Sequence, residues 1–175
     1  GNSVASVGDA DGDGADELLG GSWGDTDLGA VYTIPGGSLA DASLAAFPVI
    51  AGEVTGKYFG WAIADCGDAD GDGAGDFVAS DIDRDDGAGA LYRFDTFGTY
   101  ADAGGAIASI VGPGADAALG THVSCGKDVN DDANVDALVA VTGVTEVWLL
   151  NGADLGKTAT WTGTIGGGEL TVAQL

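Results

Sequence analysis

The chain has 175 residues, enough for one domain with a core of its own. Its 28 acidic residues against 5 basic ones give a formal charge of −23, a field that repels nucleic acid and anionic membrane and makes cations the natural partners. Aromatics are only 7% and the 33 glycines follow no triplet period, which excludes a collagen-like rod and leaves thin layers of small side chains joined by many turns.

Short apolar stretches rich in Val, Ile and aromatics alternate with Gly and Asp along the whole chain, the pattern of strands and tight turns. The first strands fall at 4–7, 18–22, 31–35 and 47–51. The next fall at 61–66, 77–80, 91–94 and 107–111, and the last at 122–125, 137–141, 147–150 and 159–165. Segments 38–46 and 102–108 have some helical propensity but are too short to outweigh this pattern. No apolar run approaches the ~18 residues of a membrane span, so membrane insertion is not expected. No basic-then-apolar leader precedes the first strand, which suits a mature or excised chain.

These strands belong to a repeat. Asp9 to Asp68 is 59 positions and Asp68 to Asp128 is 60, and "GNSVASVGD", "GWAIADCGD" and "GTHVSCGKD" each lead into an acidic phrase. Downstream, "GAVYTI", "GALYRF" and "TEVWLL" align Tyr32, Tyr92 and Trp148. The expected fold is therefore all-β: three four-stranded antiparallel blades, at 1–59, 60–119 and 120–175. Three blades cannot close a ring, and an open blade leaves an apolar face and a strand edge bare. Further blades are expected from a longer chain or from copies of itself.

The acidic phrases carry the chemistry. In "DADGDGADE" loop positions one, three, five and nine are Asp9, Asp11, Asp13 and Glu17, Gly14 stands at six, and the Ala15 carbonyl at seven is a further ligand. A tightly curled loop turns such alternate oxygens toward one point, as a calcium ion with six to eight oxygen ligands requires. The second loop offers Asp68, Asp70, Asp72, Asp76 and the Ala74 carbonyl; the third offers Asp128, Asn130, Asp132, Asp136 and the Asn134 carbonyl. About three calcium ions are expected. The third site should be weakest, because Asp131 and Ala133 replace glycines where the curl calls for positive φ, at ~1 kcal/mol. An EF-hand is excluded: position twelve is Gly20 or Ala79 instead of Glu, and the flanks are strand-like.

"YFGW" at 58–61, followed by "GDADGDGAGDFVAS" and "GAGALY", resembles the FG-GAP repeat of integrin α-chain β-propellers and their bacterial relatives. The resemblance implies blades around an axis with calcium in the hairpin joining the first two strands of each. It departs in the third unit, where Leu119-Gly120 replaces Phe-Gly.

The remaining residues give less. Cys66 and Cys125, in "DCGD" and "SCGKD", fit a disulfide in an exported protein and fit a pair of buried thiols equally. His122, the single histidine, is expected to pack in an innermost strand, and Arg84 to offset its acidic neighbours in "DIDRDDG". Trp23, Trp61, Trp148 and Trp161 could stack on a sugar, although Trp148 shares its position with Tyr32 and Tyr92 and should pack between blades. Together these point to an extracellular or cell-surface, non-enzymatic scaffold for adhesion or assembly, with a protein or glycan partner. Two alternatives are a repeating subunit of an extracellular filament and a non-catalytic part of a secreted polysaccharide-acting enzyme.

Overall fold

Side chains alternate in direction along each strand and so give every sheet two faces, and the acidic phrases turn the chain between first and second strands. In the computed structural model, which describes residues 2–25, 27–37, 43, 46–53 and 57–162, this produces three four-stranded antiparallel sheets. Blade one is β1 (Ser3–Val7), β2 (Glu17–Ser22), β3 (Ala30–Ile34) and β4 (Val49–Ala51) in that order. Blade two is β5 (Phe59–Gly67), β6 (Asp76–Asp81), β7 (Ala90–Asp95) and β8 (Ala108–Val111). Blade three is β9 (Leu119–Lys127), β10 (Asp136–Val141), β11 (Glu146–Asn151) and β12 (Lys157–Thr162).

All twelve expected strands are present, although residues 163–165 of the last one and most of 38–46 lie outside the described residues. The helix in 102–108 is a single 3-10 turn, Ala103–Gly105, capped by the Asp102 side chain accepting from Gly104 N–H at 3.0 Å. Among the described residues no helix is long and apolar enough to cross a membrane.

The core lies between blades. Val7, Leu19, Val31 and Ile50 of blade one pack against Ile63, Phe77, Ala79 and Phe94 of blade two. The opposite face of blade two, with Cys66, Val78 and Leu91, packs against Ala137, Val139, Trp148 and Leu150 of blade three. Each handover uses the same backbone contact. Phe59 bridges Gly29 in parallel, and Leu119 bridges Gly89. Both glycines have positive φ, and a Cβ on either would come within 2.3 Å of the next blade's carbonyl oxygen, so only glycine fits.

Cys66 and Cys125 are joined by a disulfide. The two are not at equivalent repeat positions. Cys66 matches Val7, whereas Cys125 matches Asp65, one place earlier in its unit. That single-residue offset reverses the side-chain direction on a strand, so the two thiols point at each other across the gap between blades two and three. The bond closes a separation of 59 residues. Replacing both cysteines with serine should cost about 2–4 kcal/mol, read as a lowered midpoint in urea unfolding of the double variant against the oxidised parent.

A second inter-blade tie involves Arg84. It pairs with Glu53 of blade one as well as with its neighbour Asp85, and Tyr92 donates its hydroxyl to Glu53 at 3.0 Å. Arg84 therefore links blades, beyond offsetting the charges beside it.

Candidate metal centres

The three acidic hairpins share one hydrogen-bond frame. In the first, Asp9 accepts from the N–H of Gly12 at 2.8 Å and of Gly14 at 3.0 Å, drawing the loop into a curl. Asp11 accepts from Asp13 N–H and Asp13 from Ala15 N–H, so each carboxylate is held by one oxygen while its other oxygen stays available. Glu17 is fully buried and accepts from Ala10 N–H at 2.7 Å, locking the end of the loop to its start.

The second loop repeats these bonds with Asp68, Asp70, Asp72 and Asp76 accepting from Gly73, Asp72, Ala74 and Ala69. The third does so with Asp128, Asn130, Asp132 and Asp136 accepting from Ala133, Asp132, Asn134 and Val129. Gly12, Gly14, Gly71 and Gly73 supply positive φ in the first two curls. In the third, Asp131 at φ 63° and Ala133 at φ 69° adopt it despite their side chains.

The carboxylates converge unevenly. Ligand oxygens of Asp9, Asp11 and Asp13 come within 4.8 Å of one another, with Glu17 outside that trio. In the second loop Asp68, Asp70 and Asp76 form one such group and Asp70, Asp72 and Asp95 another. Among the described residues no comparable trio of acidic groups forms in the third loop, where Asn130 stands in place of a carboxylate. Ala15, Ala74 and Asn134 each stand two residues past the position-five carboxylate that their N–H groups bond. The donor set, hard oxygens held by backbone, fits a calcium-sized cation better than a thiol- or imidazole-seeking metal.

Arg93 and Asp95 are additions from the fold. Arg93, on β7, is only 2% exposed and reaches into the second loop, its Nη2 donating to Asp70 Oδ2 at 2.8 Å. Its Nη1 lies 2.8 Å from Asp76 Oδ1 as an ion pair without hydrogen-bond alignment. Thr33 and Leu149 occupy the matching places in the other blades, so this internal cation belongs to blade two alone. In the other loops the position-nine carboxylate finds neutral partners instead, Gly36 N–H for Glu17 and the Asn130 amide for Asp136.

Burial pushes the Asp76 carboxyl up to about 6, despite the Ala69 N–H and the Arg93 charge. Burial likewise raises Asp81, against N–H groups of Asp83 and Tyr58 that favour its charge. A carboxyl raised above its unfolded value adds stability at low pH that is lost as pH rises through the folded value. Cation-free protein should therefore melt higher at pH 5 than at pH 7, a comparison scanning calorimetry in chelator would settle; equal or reversed melting would contradict the burial of Asp76.

The tryptophans separate. Trp23, Tyr58 and Trp61 form a mutual cluster with ring centroids 5.3 to 6.1 Å apart. Trp148 is buried between blades, as its repeat position implies, with Lys157 over its ring. Trp161 is exposed on the outer strand β12. His122 lies in β9, its Nδ1 buried without a hydrogen-bond partner.

Fold and loops define a class of protein: a tandem array of four-stranded antiparallel sheets, each carrying an acidic, backbone-bonded hairpin between its first two strands. No protein-family model matches the chain, and no curated protein matches it.

Proposed function

We propose that this chain is a calcium-stabilised, non-catalytic scaffold of the FG-GAP kind, acting in adhesion or assembly outside the cell. The observation that carries the reading is the threefold recurrence of one loop frame, in which backbone N–H groups fix carboxylates that would otherwise spread apart. Two charges drawn to about 4 Å repel by roughly 4 kcal/mol at an effective dielectric of 20. A chain with no use for a cation has no reason to build such a frame three times. Bound calcium supplies the charge that cancels this repulsion. Glu17, Asp76 and Asp136, buried at the base of each loop, tie it to the second strand of its blade.

The disulfide between blades supports an oxidising, extracellular setting. Blades two and three join to their neighbours through hydrophobic faces and leave the acidic loops for cations, which suits a scaffold better than a reaction centre.

Calorimetric calcium titration tests the reading. The parent should show saturable binding, and the pair Asp11→Asn with Asp13→Asn should lose the tightest event while the others remain. Absence of binding heat in the folded parent would end the calcium reading.

A further inference from the structure

The first strands of the three blades enclose a pocket that neither the acidic hairpins nor the blade cores use. Ser6 of β1, Asp65 of β5 and Cys125 of β9 hold equivalent repeat positions and line it together with Lys127, around a volume of about 260 Å3. Asp65 has a sheet packed on either side of its own and is still only half-buried, so the opening belongs to this strand position itself.

The inter-blade disulfide meets this pocket from one side. Cys125 lines it and is half-buried, whereas Cys66 is fully buried among Val78, Leu91, Ala137 and Val139. That difference selects the sulfur that can react. In thiol–disulfide exchange a thiolate approaches in line with the S–S bond, from the far side of the sulfur it attacks. Attack on Cys66 Sγ would require passage through the apolar core, while the pocket gives access to Cys125.

We propose that Cys125 is a site of reversible S-thiolation, taking a small thiol of the aminothiol class from the pocket. The incoming thiolate bonds to Cys125 Sγ, the Cys66–Cys125 bond breaks, and its electron pair leaves with Cys66 Sγ. The proton that Cys66 takes up balances the one the incoming thiol lost, and no other oxidant or reductant takes part. The released sulfur stands in apolar surroundings that solvate a thiolate poorly, so it leaves slowly. The Cα atoms of the pair are 4.8 Å apart, which keeps Cys66 beside the new mixed disulfide, ready to expel the adduct and restore the cross-link. Charge selects the thiol. Asp65 and Lys127 offset each other in the pocket, leaving the −23 of the whole chain to repel an anionic thiol and favour one that carries an ammonium group. While the adduct persists, the covalent tie between blades two and three is open.

Peptide mapping tests the site: the oxidised full chain in calcium is incubated with excess cysteamine, quenched in acid, then denatured and alkylated. Cysteamine should be found on Cys125 and the alkyl group on Cys66, with the reverse pattern at least about tenfold rarer. At equal thiolate concentration glutathione should react more slowly, and added salt should narrow the gap. Ser6→Trp, which fills the pocket from an exposed position on blade one, should slow the exchange about tenfold with melting unchanged. Adducts divided equally between the two cysteines would overturn the proposal, as would a rate that Ser6→Trp leaves untouched and that follows global unfolding in urea. A folded parent whose cross-link resists excess cysteamine altogether would do the same, being a bond sealed on both sides. Glutathione matching cysteamine at low salt would overturn the choice of thiol.

Discussion

Stripping divalent cations should lower the melting temperature by about 10–20 °C. A site holding calcium at 100 times its dissociation constant adds about 2.7 kcal/mol to folding, so the first and third loops, free of any internal cation, would together contribute about 5 kcal/mol if both are filled to that degree. For a domain of this size each kcal/mol moves the midpoint by about 2–4 °C. The effect should appear between excess calcium and excess chelator in calorimetry at fixed ionic strength, so that general screening of the acidic surface is held constant. Superimposable melting curves would remove the basis for a cation role.

Arg93→Leu, which installs the residue that blade three has at Leu149, should separate two effects that the parent combines. Without cations the change removes the partner of buried Asp76 and of Asp70, and breaking such a buried pair costs about 3–5 kcal/mol. With calcium the balance turns. A fixed positive charge beside the ligands opposes any arriving cation, and at an effective dielectric of 20 two unit charges about 4 Å apart interact by roughly 4 kcal/mol. The variant should therefore bind calcium at the second loop about 1,000-fold more tightly than the parent, while its chelated form melts lower. Titration and melting of one protein pair measure both. Unchanged affinity would mean that Arg93 stands clear of the ion, and unchanged chelated stability that the pair contributes nothing.

The second loop is where the sequence and the structure part company. Strands and repeat follow from residue type and spacing alone, because Gly and Asp mark each turn and the period of 59 or 60 positions fixes equivalent places. The convergence of Asp9, Asp11 and Asp13 follows in the same way, being local to a few residues. Arg93 and Asp95 do not. Their place beside the loop depends on the β6–β7 register, which sets Asp76 opposite Asp95 and Val78 opposite Arg93, and nothing within "ALYRFD" announces that pairing. The sequence leaves the disulfide open for a related reason. Cys66 and Cys125 look like repeated positions, and only the one-residue offset, seen against strand direction, turns them toward each other. The third loop kept its curl without its glycines, because Asp131 and Ala133 take the positive φ and the Asp128 carboxylate holds both N–H groups.

The cross-link between Cys66 and Cys125 also divides the array mechanically. Blades two and three are welded through their first strands, whereas blade one is held to blade two by packing around Phe59 and by the Glu53–Arg84 pair. A pulling force along the array would open the seam at Phe59 while the welded pair stayed together. Any tension carried across these sheets is thus limited by their first junction, and the load at which it yields is set by packing and an ion pair instead of by a covalent bond.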